Sequence, residues 1–234
     1  MNVEVLEAIT TLAQQTDVLI FGEFHGTQEV PHLISDYLEK LQPIGYGALG
    51  LEVPYSEQES LWQWAIGEAQ ELPRFFRHPL GDGRGNVQAL ALVQKAASLN
   101  WRIFCFDPGL ARNWQERDRK MAENLLTEWV RTCPDKKVVC ISGNLHSRIS
   151  VPPHTRDPYW PSFAANLQIL RPDIVVHSIN IVFHQGAFFN FKVQKFNGKP
   201  ITDAYITHDI QDGYTLSLHL PRATPVTHLG EPSG

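Results

Sequence analysis

Short apolar runs alternate with stretches of helical spacing over the first two thirds of the chain. Asp17 to Phe21 is an apolar run stopped by Gly22, the pattern of a buried strand. Val30, Leu33, Ile34, Tyr37, Leu38 and Leu41 then recur in steps of three and one, which is one face of an amphipathic helix. Pro43 and Gly45 end that helix, and Gly47 to Val53 is a second strand closed by Pro54. Ser56 and Glu59 have capping-box spacing ahead of a helix carrying Leu61, Trp62, Ala65 and Ile66. Leu72 to Gly85 is irregular, and Asn86 to Leu99 predicts another helix. Arg102 to Asp107 is a third strand, stopped by Pro108 and Gly109. Asn113 with Glu116 caps a long helix to about Arg131, and Lys137 to Ser142 is a fourth strand ended by Gly143.

The pattern then changes. Ser162 to Leu170 predicts a helix and Ile174 to Phe183 a β-branched strand. Ala187 to Lys195, Asp203 to Thr207 and Tyr214 to Leu220 read as strands in hairpin-type connections. The expected fold is α/β: a mostly parallel central sheet flanked by helices, with a strand-rich C-terminal extension at the sheet's edge. The whole chain, 1–234, is expected to be a single domain, with a small helical insertion at about 55–100 beside the site.

Composition narrows the function classes. Of the 234 residues 43% are hydrophobic and 19% charged, and the net charge is -5, so a packed core is expected and a nucleic-acid partner is not. A small-molecule or peptide substrate fits this balance; oligomeric state is left open. No apolar run approaches the length of a membrane helix, and the start lacks the basic and apolar regions of a secretory signal. The chain as given therefore reads as cytoplasmic, or as periplasmic or membrane-anchored if a signal segment was removed. Cys105, Cys133 and Cys140 make an odd count without close pairing, and are expected to be buried small hydrophobes.

In an open parallel sheet, ligands bind beyond the carboxyl ends of the strands. Each of the first four strands ends there in polar residues. Glu23 and His25 follow the first, Glu52 ends the second, Asp107 the third, and Asn144 and His146 follow the fourth. Gly22, Gly26 and Gly143 bracket them. Two histidines and two carboxylates can hold a divalent ion such as manganese or zinc. They can equally form a metal-free acid–base site. Glu23, His25, Glu52 and His146 are the catalytic candidates, and the metal ligands if metal is bound. In the metal-free version His25 is the base, oriented by Glu52, and His146 polarises the carbonyl.

Bland alternatives exist for each residue. Asp107 before Pro-Gly can simply start a turn, and Glu29 suits a helix amino end. Further substrate-binding candidates are Asp107, Asn144, Arg117 and Asn124, the last two sharing one helix face, with Asp118 beside them; a solvated charge run is the competing reading for Glu116 to Lys120. Asp82 and Arg84 complete the set, with a plain turn as the favoured reading. His154, Tyr159 and Trp160 follow His146 in a Pro-rich loop and are expected to line or shield the pocket. His78, His184, His208 and His219 are treated as structural.

The segments FGEFHGTQE, LEVP and ISGNLH, in that order, resemble the ChaN-like members of the superfamily that also holds the Tiki and TraB proteins and the erythromycin esterases. The segment RDRKMAENLL resembles the family's helix after its third strand, and the resemblance runs from about Asp17 to Leu170. It implies an α/β fold with a helical insertion, and it places Glu23, His25, Glu52 and His146 at the shared motif positions. It implies no single activity. Tiki proteins are metal-dependent proteases, erythromycin esterases open a macrolide lactone with a proposed histidine base, and ChaN proteins bind haem. The expected function is hydrolysis of an ester, lactone or amide bond, with or without metal assistance; the alternative is a non-catalytic haem binder of the ChaN type.

Overall fold

The computed structural model describes residues 3–77, 81–151, 158–208 and 210–229. An opening helix α1 (Val3–Gln14) leads into strand β1 (Val18–Glu23), helix α2 (Glu29–Leu41) and strand β2 (Tyr46–Pro54). Helices α3 (Gln58–Ala65), α4 (Arg74–Arg77) and α5 (Val87–Ser98) precede β3 (Arg102–Asp107). Helix α6 (Trp114–Thr132), β4 (Lys137–Gly143) and α7 (Phe163–Leu170) follow. The chain then runs through β5 (Val176–Asn190), β6 (Lys192–Asn197), β7 (Tyr205–His208) and β8 (Leu216–Ala223).

The strands form one sheet in the order β3-β2-β4-β1-β5-β8-β7, with β6 paired to β5. From β3 across to β8 every neighbouring pair is parallel, and only β6 and β7 run antiparallel to their partners. The expected α/β architecture with a mostly parallel sheet is the observed one. Alternate residues of the central strands feed two cores. Leu19, Phe21, Leu49, Leu51, Ile103, Val139 and Ile141 face α1, α2 and α5. Val18, Ile20, Ala48, Phe104, Phe106, Val138 and Cys140 face α6 and α7. A large apolar side chain contributes roughly 1.5–3 kcal/mol on full burial, so these two layers, rather than any charged group, hold the sheet together.

Several elements depart from expectation. Helix α1 lies outside the predicted elements; Val5, Ile9 and Ala13, one turn apart, bury its inner face. The capping box at Ser56 is not made, because a 3₁₀ turn over Tyr55–Glu57 delays α3, whose N-cap is Glu57 without a side-chain bond. Gln58 caps a strand edge instead. Its amide donates to the Ile103 carbonyl at 2.6 Å and accepts from the Cys105 N–H at 2.7 Å, which pairs the exposed edge of β3 as a neighbouring strand would. The Asn113 cap is formed as read, and Asn86 caps α5 in the same way. In the tail, the strand predicted over Ala187 to Lys195 is divided between the end of β5 and β6. β5 continues unbroken to Asn190 and turns at Phe191, which has φ 54°. As expected, the tail adds to the sheet's edge: β5 pairs with β1 and β8 with β5, both in parallel. All three cysteines are buried and free. No helix among the described residues is long and apolar enough to cross a membrane.

Candidate active site

The carboxyl ends of β1 to β4 converge on one group of buried charges. Glu23 is the last residue of β1, and His25 lies two residues on, its Nδ1 donating to Glu23 Oε1 at 3.0 Å. Glu52 sits near the end of β2 and is 4% exposed. Its Oε2 accepts from the Gly143 N–H at 2.7 Å and lies 3.7 Å from His25 Nε2. Its Oε1 lies 3.7 Å from His146 Nε2. Glu52 thus joins both histidines, and the four motif residues form one cluster.

Glycine makes this approach possible. A Cβ on Gly143 would stand 2.9 Å from His25 Nε2, and one on Gly22 would collide with Ser147 Oγ at 2.0 Å. Ser147 and Tyr214 each donate a hydroxyl to the Asn144 carbonyl, while the Asn144 N–H donates to the Glu23 carbonyl. The turn that carries His146 is therefore tied to β1. The bonds described for Asn144 are main-chain ones.

Two arginines thread the carboxylates. Arg84 Nη1 donates to the Glu52 carbonyl at 2.8 Å, to Glu52 Oε1 at 3.0 Å and to Asp107 Oδ2 at 2.8 Å. Its Nε is held by Asp82. Arg117, on the first turn of α6, grips Asp107 through Nε at 3.2 Å and Nη2 at 2.7 Å, and reaches Glu52 Oε1 at 2.7 Å. The turn readings of Asp82 and Asp107 hold as well: Asp82 accepts from the Arg84 N–H and Asp107 from the Gly109 N–H. What the turn chemistry concealed is that it aims Arg84 into the site.

His146 is held on three sides. Nδ1 donates to Asp118 Oδ1 at 2.5 Å, and Arg117 Nη1 donates to Nε2 at 2.8 Å. Trp114 stacks on the ring at a centroid distance of 4.5 Å and 7° between planes. Asp118 is fully buried and also accepts from the Phe163 N–H. The solvated-run reading of this segment thus fails at Asp118. The signal was available, since Asp118, Met121, Ala122 and Leu125 lie on one buried stripe of α6. Trp114 carries no motif that marks it in the sequence. Asn124 does not reach the site. It lies seven residues beyond Arg117, about 10 Å down the helix axis, and donates to the Phe106 carbonyl instead. Tyr159 packs against Trp114 at 4.6 Å, and Trp160 is half-buried; His78 and His154 lie outside the described residues.

Burial and charge pull these groups in different directions. Burial alone would raise Glu52, but His146, Arg84, His25 and Arg117 outweigh it and hold the carboxyl well below its usual range. Asp107 is likewise lowered against its burial by Arg117 and Arg84. Glu23 is raised by burial despite its bond to His25, and Asp118 by burial despite His146. Burial would lower His25, yet Glu52 and Glu23 win and raise it.

The donor set does not fit a divalent ion in this arrangement. Among the described residues no three His, Cys, Asp or Glu side chains meet as a metal cluster. Glu52 and Asp107 are filled by guanidinium groups, and both His146 nitrogens face protein partners. Of the two carboxylates beside His25, Glu23 is the one in hydrogen-bond range. A carbonyl-polarising role for His146 needs an N–H at Nε2, where Arg117 is the donor.

The site and fold define an α/β protein with a buried Glu/His/Arg cluster at the carboxyl edge of its sheet. No family model and no curated protein sequence matches the chain. Its fold is shared with solved structures: a Bacillus cereus protein with TM-score 0.70 at 10% identity, over 97% of this chain and 94% of that one, and a mutant of the erythromycin esterase EreC in its open conformation, with TM-score 0.59 at 11% identity, over 99% and 97%. Overlap with haem-binding ChaN of Campylobacter jejuni has TM-score 0.46 at 10% identity, over 91% and 90%. At these identities the likeness to the Bacillus cereus protein and the esterase is one of fold.

Proposed function

We propose that this chain hydrolyses an ester, lactone or amide bond, with His25 as general base. The observation that carries the reading is the placement of His25: Glu23 holds Nδ1, and Nε2 faces Glu52, with Arg117 and Arg84 on the far side of that carboxylate. With Nδ1–H donated to Glu23, the lone pair on Nε2 can take a proton from water. The water oxygen then bonds to the carbonyl carbon, and the C=O electron pair moves onto oxygen. Arg117 Nη1, which in the resting site donates to His146 Nε2, is the donor available to that oxyanion. Collapse re-forms the C=O bond, and the proton on His25 passes to the departing oxygen or nitrogen. Glu52 fixes both arginines and the Gly143 N–H, so the positive groups are in place before charge develops. The fold likeness to an erythromycin esterase is consistent with this chemistry. It leaves the substrate open, a small molecule or a peptide.

The test is turnover by wild type and His25→Asn on ester, lactone and peptide panels, with and without manganese or zinc, with a haem titration of both proteins. Wild type should turn over at least one class, and His25→Asn should be slower by about 10²–10⁴-fold. Because His25 is raised from its ordinary 6.5, wild-type kcat/KM should fall with decreasing pH through a midpoint above that value. No turnover under any condition, together with tight haem binding indifferent to the substitution, would replace this reading with the haem-binding one.

A further inference from the structure

We propose that Trp114 is a positioning residue that holds the His146 ring in its working plane, an inference that rests on the hydrolase reading. Trp114 is the first residue of α6, one turn before Asp118 and three residues before Arg117. A single helix start therefore delivers three contacts to one imidazole. Asp118 takes Nδ1–H and Arg117 donates to Nε2, both at the ring's edge. Two contacts at the edge leave the ring free to rock about the line joining them. The indole, nearly parallel at 7° and 4.5 Å away, closes that motion.

What holds the indole supports the same role. Its Nε1 is buried and has no hydrogen-bond partner among the described residues, so no polar tether explains a tryptophan at this position. Its ring contacts are His146 on one side and Tyr159, tilted by 47° at 4.6 Å, with the Arg117 guanidinium 6.0 Å from the ring centroid. An aromatic plane is what these neighbours share. The need for it is greatest during reaction. When Arg117 turns to an oxyanion, Nε2 loses its donor, and Asp118 and the stack are left to hold the ring beside Glu52. A loosened imidazole would no longer keep Arg117 aligned on its return, nor screen Glu52.

The experiment compares Trp114→Phe, which keeps an aromatic plane, with Trp114→Leu, which does not. The direct readout is the NMR position of the His146 ring protons, identified by their absence in His146→Gln. Stacking on an aromatic face should shift them upfield in wild type. Trp114→Phe should keep most of that shift and Trp114→Leu should lose it. On a substrate that wild type turns over, Trp114→Leu should lose about a hundredfold in kcat with KM little changed, the scale of an ångström's misplacement, and Trp114→Phe should recover most of it. Trp114→Met serves if the leucine variant does not fold. Ring protons that are unshifted in wild type, or equally shifted in the leucine or methionine variant, would overturn the proposal. The NMR arm needs no substrate, so a failure of the hydrolase reading would leave the stacking result standing and remain distinct from it.

Discussion

Two histidine pairs, one beyond the carboxyl ends of the strands and one on them, are built differently. At the carboxyl edge, His25 and His146 each donate to a buried carboxylate and face Glu52 and an arginine network. On β5 and β8, His184 Nδ1 bonds the Lys199 carbonyl, His184 Nε2 meets His219 Nδ1 at 3.1 Å, and His219 Nε2 meets Thr207 Oγ1 at 3.1 Å. The partners of that second chain are a carbonyl, a hydroxyl and the other imidazole, none of them charged side chains, and Tyr205 stacks on His219 at 4.3 Å. Partner chemistry separates the pairs. Carbonyl and hydroxyl partners exchange neutral hydrogen bonds with an imidazole, whereas carboxylates and guanidinium groups bring charge to its edge.

The sharpest way to break the comparison is Glu52→Ala. It leaves Arg84, Arg117 and the Gly143 N–H without their shared acceptor, and should cost about 3–5 kcal/mol in denaturant unfolding, with turnover lost. The sign with pH follows from the lowered carboxyl. Its stabilisation is complete above the unfolded value near 4.5 and is lost as pH falls through the lower folded value, so the variant should lack that part of the acid slope. A stability within about 1 kcal/mol of wild type would mean that the arginines do not depend on Glu52.

Glu23→Gln should act in opposite directions on stability and activity. A carboxyl raised by burial loses stability as pH rises from its unfolded to its folded value, so at pH 7 it is a liability. Gln still accepts from His25 but carries no charge. Melting temperature at pH 7 should rise by about 2–4 °C for each kcal/mol recovered, while turnover falls about a hundredfold. A drop in melting temperature would place Glu23 among the structural groups.

The smallest effect is expected from the second pair. His219→Gln should change unfolding free energy by about 1 kcal/mol and leave kcat within about twofold, since its bonds to His184 and Thr207 are neutral ones that a Gln side chain can replace. A loss of turnover comparable to that of His25→Asn would erase the distinction between the two pairs.

Much of this was legible before folding. Hydrophobic period marked β1 to β4 and most helices, because alternation and the 3.6-residue repeat are local properties. The strand-end rule then brought Glu23, His25, Glu52 and His146 to one edge, as found. Less legible were Arg84, whose loop carries the signature of an ordinary turn, and Trp114, whose partner stands 32 residues away in sequence. The hairpin-type reading of the tail holds for the antiparallel pairs β5–β6 and β7–β8, whereas parallel pairing of β5 with β1 and β8 depends on crossovers that no local pattern announces.

The sequence by itself determined the alternation of elements, the polar residues that end each central strand, and the glycines that let them approach, since each depends on a residue and its near neighbours. Tertiary structure alone decided which partner each titratable group received. Whether Glu52 meets a metal ion or two guanidinium groups, and whether His146 meets Asp118 and Trp114, depends on loops and helices distant in sequence arriving at one buried point. There low solvation makes each charge dependent on the partner that arrives with it.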